Sequence, residues 1–179
     1  GPAGAELLTR EAWDWLSGLD ELYLRTSLHP CAAELPKTLK LHSFDDLYEK
    51  HDALGDVLAE IAREVLELGK REQGVSYAVP GNPWVAEESC ARILELAREA
   101  GLPVRVINGM SFLEPVCAAL GIDPGNQLAL IDAMQLAEQN VPTFPPSCGA
   151  LIHQIGTGMD ASQIKLTLMS AYPDDYPVR

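Results

Sequence analysis

Apolar positions along this chain fall into two rhythms that alternate. Between Asp45 and Glu72 the sequence is highly charged, yet Leu54, Val57, Leu58, Ile61, Val65 and Leu68 recur at helical spacing, which places them on one face of an amphipathic helix. The same rhythm marks AELLTREAWDWLSGLD (5–20), where Leu8, Ala12, Trp15, Leu16 and Leu19 share a stripe and Gly18 suits a stop. It returns in AEESCARILELAREAG (86–101), with Cys90, Ile93, Leu94 and Ala97 on one side and Gly101 as the terminator. Between these helices lie short apolar clusters, ELYLR (21–25), TLKLHSF (38–44) with Leu39 and Leu41 inward, GVSYAV (74–79) and PVRVI (103–107), which read as strands. HPCAAELPK (29–37), bracketed by Pro30 and Pro36, reads as a short helix or turn.

The second half continues in the same alternation. Asn108-Gly109 predicts a turn, and SFLEPVCAALG (111–121) predicts a helix with Ser111 and Glu114 in capping-box spacing. NQLALID (126–132) and GALIHQI (149–155) are strands, and ASQIKLTLMSAY (161–172) is a helix with Ile164, Leu168 and Ala171 inward. The proline-rich VPTFPPS (141–147) is the best candidate linker of this half. Strands alternating with helices at this pitch predict an α/β chain with a mostly parallel sheet covered on its faces. An N-terminal α/β lobe over 1–108 and a C-terminal α/β lobe over 109–179 are expected.

Composition narrows the function. With 47% hydrophobic residues in 179 the chain can build a sizeable core without staples. The four cysteines, at 31, 90, 117 and 148, form no CxxC pair, and with four histidines no zinc spacing arises; reduced thiols, a cytoplasmic location and no metal are expected. Charged residues interrupt every apolar run, so no membrane span is expected. A formal net charge of −13 repels phosphate backbones and anionic lipid, which argues against a nucleic-acid partner.

Two loops carry the candidate chemistry. In YAVPGNPWVAEES (77–89) a strand stops at Pro80 and a helix follows, with Asn82 as a good N-cap, Pro83 suited to the first helical turn and Gly81 leaving no side chain in the way. Such a segment is an ordinary strand-to-helix turn or a ligand edge in which free amides at the helix start receive a carboxylate or nucleobase. VINGMSFLEP (106–115) has the same construction, through Gly109 and Ser111. Two such loops at one edge of a parallel sheet make a crevice of the kind that binds small molecules. GTGMDA (156–161) matches a dinucleotide fingerprint formally, but too little chain follows for the rest of that unit. No GxSxG elbow occurs, His29 reads as a capping or solvated residue, and Glu87-Glu88 complement a helix N-terminus better than they bind metal. The catalytic residues are therefore left unassigned.

GPAGAELLT, YLRTSLHP, FDDLYE, YAVPGNPWVAE, VINGMSFLEPVCAALGIDP and IKLTLMSAYPDDYPV occur in an order and spacing that resembles the tetrapyrrole (corrin/porphyrin) methylase-like domain of MazG-type nucleoside triphosphate pyrophosphohydrolases. The resemblance covers nearly the whole chain. It implies a two-lobed fold with a mostly parallel sheet in the first lobe and a mixed sheet in the second, and S-adenosylmethionine bound in a cleft. The sulfonium methyl would pass to a small-molecule acceptor, leaving S-adenosylhomocysteine. Gly81, Asn82 and Pro83 would match the family's Gly-Asp-Pro cofactor loop, and Gly109, Met110 and Ser111 its second cofactor loop.

Differences accompany the match. The family's Gly-Pro-Gly-Asp motif follows a strand, whereas here Gly1-Pro2-Ala3-Gly4 opens the sequence, so that first strand is expected to be missing. Asn82 replaces the usual Asp, keeping hydrogen-bonding capacity without the charge. The family continues beyond Arg179, which implies a fragment of a longer protein with a C-terminal pyrophosphohydrolase domain, and family analogy implies a homodimer. Only Arg10, Arg25 and Lys37 lie near predicted loop ends, too few for a polycarboxylate tetrapyrrole. The alternative function is a non-catalytic ligand-sensing or interaction module of the pyrophosphohydrolase.

Overall fold

Thr9 opens the first long element. Its backbone is extended and its Oγ1 accepts from the Ala12 N–H at 3.2 Å, so helix α1 spans Arg10–Leu16 after a 3-10 turn at Ala5–Leu7, rather than one helix from Ala5. The computed structural model describes residues 1–51 and 53–178. The chain folds as two compact units, Gly1–Ala119 and Leu120–Arg179.

In the first unit β1 (Glu21–Leu24) is followed by a 3-10 turn at Pro30–Glu34, β2 (Lys40–Ser43), α2 (Asp45–Lys50), α3 (Leu54–Gly69), β3 (Tyr77–Ala78), α4 (Glu88–Glu99) and α5 (Leu113–Leu120). The sheet is parallel, in the order β2-β1-β3, with Leu22 opposite Leu41 and Tyr23 opposite both His42 and Tyr77. Alternation along β1 sends its residues to two cores. Leu22 and Leu24 pack with Leu16, Cys31, Leu35 and Leu39 on the α1 side. Tyr23 and Tyr77 meet Phe44, Leu47, Val57, Leu58, Ile61 and Val65 on the other, where α3 packs against α4. A parallel sheet covered on both faces is the arrangement that alternating strands and helices require.

Three predicted elements differ. The helix expected from Asp45 to Glu72 is two helices, because His51 and Ala53 are both extended; Asp52, inside that prediction, lies outside the described residues, as does the terminal Arg179. Val57, Leu58, Ile61 and Val65 are buried as expected, while Leu54 is exposed. Leu41, expected inward, is also exposed, on the edge strand β2. PVRVI (103–107) is not a strand. An extended chain becomes one only through ladder bonds to a neighbour, and among the described residues 103–107 make no backbone–backbone hydrogen bond.

The unit boundary falls after Ala119 instead of at Asn108-Gly109. That pair forms no turn, and both residues are held to the rest of the first unit by hydrogen bonds from Thr9 and Asn82.

The second unit contains β4 (Leu128–Asp132), α6 (Ala133–Ala137), β5 (Gly149–His153) and α7 (Gly158–Leu168). Its sheet, expected to be mixed, is a parallel pair with Leu130 opposite Leu151. The β4–β5 connection contains a helix and a long return, which delivers the second strand in the same direction; an antiparallel neighbour needs only a hairpin. Asp132 caps α6 through Gln135 N–H at 3.0 Å. At α7 Thr157 and Asp160 form a reciprocal capping box, so GTGMDA is accounted for as a helix start.

VPTFPPS is no linker. Phe144, at its centre, is buried with Ala133, Leu136 and Ile164 in this unit's core, and Ala171, expected inward, is exposed beyond the end of α7. No helix among the described residues is long and apolar enough to cross a membrane, and no group of three or more His, Cys, Asp or Glu among them is placed to hold a metal. If Phe144 anchors the core, Phe144→Ala should cost the second unit about 3–5 kcal/mol, read from chemical denaturation; a free linker would lose almost nothing.

Candidate functional site

The carboxyl ends of β2, β1 and β3 lie side by side, and each opens into a loop of the first unit. After β1, the Arg25 N–H donates to Ala78 O at 2.9 Å, extending the ladder by one bond. The next residues are tied to α2, where Asp45 accepts from Ser27 N–H at 2.9 Å and from its hydroxyl at 2.5 Å. Burial opposes ionisation of Asp45, but hydrogen bonds from Ser27, Thr26 and Ser43 outweigh it and hold the carboxyl down at about 2. His29 caps the following 3-10 turn, its Nδ1 accepting from Cys31 N–H at 3.3 Å. Burial lowers its pKa, which favours the neutral ring this bond requires.

After β3 the chain turns twice before α4. Gly81 has φ +74, a left-handed conformation that glycine adopts without strain, and a Cβ placed on it would meet nothing within 4 Å. Asn82 does not cap a helix at Pro83, as its sequence context suggests. Its Oδ1 accepts from Trp84 N–H at 2.8 Å, and Val85 N–H donates to its carbonyl at 3.1 Å, so Asn82 to Val85 form a closed turn. Helix α4 starts only at Glu88, with Glu87 as N-cap. Glu87 Oε1 accepts from the Ser89 N–H at 3.1 Å and hydroxyl at 2.5 Å, so this helix start is occupied by its own carboxylate rather than left free for a ligand.

The second loop reaches the first directly. Asn82 Nδ2 donates to Gly109 O at 2.6 Å. A Cβ on Gly109 would lie 2.3 Å from Gly81 O, so the two backbones touch where only glycine fits. Gly81 N–H donates to Gly1 O at 2.9 Å, and Thr9 Oγ1 donates to Asn108 O at 3.0 Å. Four separate stretches of chain thus converge on one spot. Gly109 is not there for a left-handed turn, since its φ is not positive; it is there for close approach.

Ser111 is buried and fully engaged. It donates to Glu114 Oε2 at 2.6 Å and accepts from Leu113 N–H at 3.0 Å, and its hydroxyl is the main cause of the lowered Glu114 pKa. Pro83 and Met110 are half-buried. The loops therefore present backbone and shape, with exposed Trp84 beside them.

Sequence spacing does not reveal the polar cluster behind the first loop. Arg25 Nη1 donates to Glu87 Oε2 at 2.6 Å, with only 2% of the Glu87 side chain exposed, and the Tyr77 hydroxyl meets Ser89 Oγ at 2.9 Å. Burial pushes the Tyr77 phenol up, and burial together with the Glu87 carboxylate pushes the Cys90 thiol up to about 12. Arg25 and Glu87 are 62 positions apart, and nothing in the local pattern pairs them.

The sequence matches the family model for tetrapyrrole (corrin/porphyrin) methylases over residues 1–179. The chain belongs to this methylase family. It is 38% identical over 179 residues to the uncharacterized protein YabN of Bacillus subtilis (strain 168), and the match spans 99% of this chain but 36% of that relative's length. Among solved structures it resembles the uroporphyrin-III C-methyltransferase of Thermus thermophilus, with TM-score 0.63, 21% identity, and coverage of 97% of this chain and 69% of that one. A structure of that Thermus enzyme complexed with S-adenosylhomocysteine aligns at TM-score 0.50 and 22% identity, over 74% of this chain and 52% of that one. Diphthine synthase aligns at TM-score 0.57 and 16% identity, over 95% and 68%. At these identities the likeness is one of fold: the methylase α/β architecture with parallel sheets.

Two outcomes follow from the geometry. Asn82→Asp exchanges the donor facing Gly109 O for a second acceptor and should destabilise the first unit by roughly 1–3 kcal/mol, read from urea midpoints, whereas Asn82→Ser should cost less. Asp45 contributes stability that is present above its ordinary value of 3.8 and lost as pH falls from there towards about 2. The midpoint difference between wild type and Asp45→Asn should therefore be largest near neutrality and shrink below pH 3.8; a pH-independent difference would contradict the assignment.

Proposed function

We propose that this methylase-family domain binds S-adenosylmethionine at the joined loops Gly81-Asn82-Pro83 and Gly109-Met110-Ser111 and transfers its methyl group to a small-molecule acceptor. The observation that carries the reading is the Asn82–Gly109 hydrogen bond, together with the glycine contact beneath it. It fixes two backbone loops at one point, at the carboxyl end of a parallel sheet, where open α/β folds bind their ligands. The open space beyond Gly81 suits a cofactor that must approach the backbone closely.

When bound, S-adenosylmethionine supplies the electrophilic sulfonium methyl. The protein's share is then alignment, which by itself removes much of the entropic barrier. Asn82 and Ser111 fit that role, since their side chains are spent on holding the loops. Gly81 leaves the loop's outer side clear, and the half-buried Met110 offers an adaptable apolar surface. The acceptor carries few carboxylates in this reading, because the net charge of −13 opposes a polyanion and the Arg25 guanidinium beside the loop is already paired with Glu87.

The second reading is a ligand sensor attached to a pyrophosphohydrolase. It is favoured by the residue types of the two loops, 79–86 and 106–111, which include no acidic or basic side chain to take the proton that a methylated carbon must lose. The resemblance to MazG-type fusions supports a C-terminal pyrophosphohydrolase domain in the full-length protein, and the 36% of YabN that this chain matches leaves room for a further domain. By family analogy that protein is cytoplasmic and dimeric.

Calorimetry on the full-length protein decides between the readings. Both S-adenosylmethionine and S-adenosylhomocysteine should bind, and Gly109→Ala should weaken both. Absence of binding at millimolar concentration removes the methylase reading, and binding without methyl release to any acceptor tried favours the sensor.

A further inference from the structure

Arg25 holds both ends of the first loop. Its backbone N–H fixes Ala78 O at 2.9 Å, where β3 ends, and its guanidinium fixes the Glu87 carboxylate at 2.6 Å, where α4 begins. The intervening residues 79–86 contain Gly81, Asn82 and Pro83 and finish at Ala86, whose φ of 54 is unusual for a residue with a Cβ. A strained residue persists only where its surroundings over-determine it, and the clamp at the neighbouring Glu87 is part of those surroundings.

The Arg25–Glu87 pair is placed to act on the loop rather than on the strands. Glu87 is nearly sealed from solvent while the Arg25 side chain is 22% exposed, so their attraction is screened little on the carboxylate side. Glu87 uses its other oxygen to cap α4 through Ser89, and Ser89 in turn meets the Tyr77 hydroxyl on β3. The loop's two anchors are therefore joined through side chains as well as through Arg25. Among the described residues Glu87 is the sole hydrogen-bond partner of the guanidinium, and Arg25 Nε is buried without one.

We propose that Arg25, through Glu87, is a positioning residue that sets the conformation of the Gly81-Asn82-Pro83 loop and thereby its affinity for cofactor. This rests on the reading of that loop as a cofactor site, and the two claims are separable by experiment.

The test compares wild type, Arg25→Gln, Glu87→Gln, the double variant and Arg25→Lys in the full-length protein. Glu87→Gln keeps an oxygen to cap Ser89, so α4 retains its start while the charge pair is lost. Calorimetry with S-adenosylhomocysteine should show each single variant weakened about tenfold or more. The double variant should be no weaker than either single one, as two residues acting as one unit require. Arg25→Lys, which retains the charge, should recover part of the loss. Amide hydrogen exchange reads the loop itself. The Trp84 and Val85 N–H groups, bonded to Asn82, should lose protection in Arg25→Gln, while the Lys40 N–H bonded to Asp20 O should keep it.

Affinity within about twofold of wild type in both single variants overturns the proposal. So does weakened binding with unchanged protection at Trp84 and Val85, which would make Arg25 a direct ligand contact. If wild type fails to bind S-adenosylhomocysteine, the cofactor reading falls, and loss of protection in the variants still supports the positioning of the loop by Arg25.

Discussion

The backbone contact between Gly81 and Gly109, closed by the Asn82 amide, organises the first unit's carboxyl edge. Two loops separated by 27 positions are brought within a side chain's reach, and the absence of a Cβ at Gly109 is what lets them touch. Thr9 adds the start of α1 to the same knot through Asn108 O, and Asp45 holds the neighbouring loop down onto α2. Loops after parallel strands are ordinarily the mobile part of an α/β domain. Here each is pinned by a specific polar bond, so the edge is preorganised before any ligand arrives.

Preorganisation of this kind has an energetic logic. A ligand that must order a loop loses affinity to the entropy of doing so, and a loop already closed by the Asn82 bonds has less ordering left to do. The bonds are short-range and partly buried, so salt should disturb them little despite the large negative net charge.

Much of the architecture is legible in the sequence because burial imposes a period. Val57, Leu58, Ile61 and Val65 announce α3 by spacing alone, and Leu22 and Leu24 mark one face of β1. The breaks are harder. His51 and Ala53 leave the helical region with no proline nearby, and Gly55, the one glycine beside the break, lies inside α3 rather than at the end of α2. Phe144 sits among prolines that suggest a linker, yet one aromatic side chain is enough to draw that segment into a core. The site follows the same rule: Gly81 and Gly109 stand out as residue types, but their meeting is a tertiary fact. Asn82 reads locally as a helix cap, although its local bond is to a turn and its other bond is to a residue far along the chain. Glu87 reads locally as a helix-start residue, which it is, but its pairing with Arg25, 62 positions away, has no local signature.

The extended segment 103–107 has a different consequence. Its backbone groups take no ladder partner among the described residues, and Val104 is exposed beside them. Such a stretch is a template on which a second chain can add a strand. The sequence meets this hazard with Arg105, whose guanidinium lies 4.8 Å from the Trp15 ring centroid and 3.0 Å from the Glu11 carboxylate. The arginine thus places a half-solvated charge amid an apolar run, the kind of interruption that discourages strand addition.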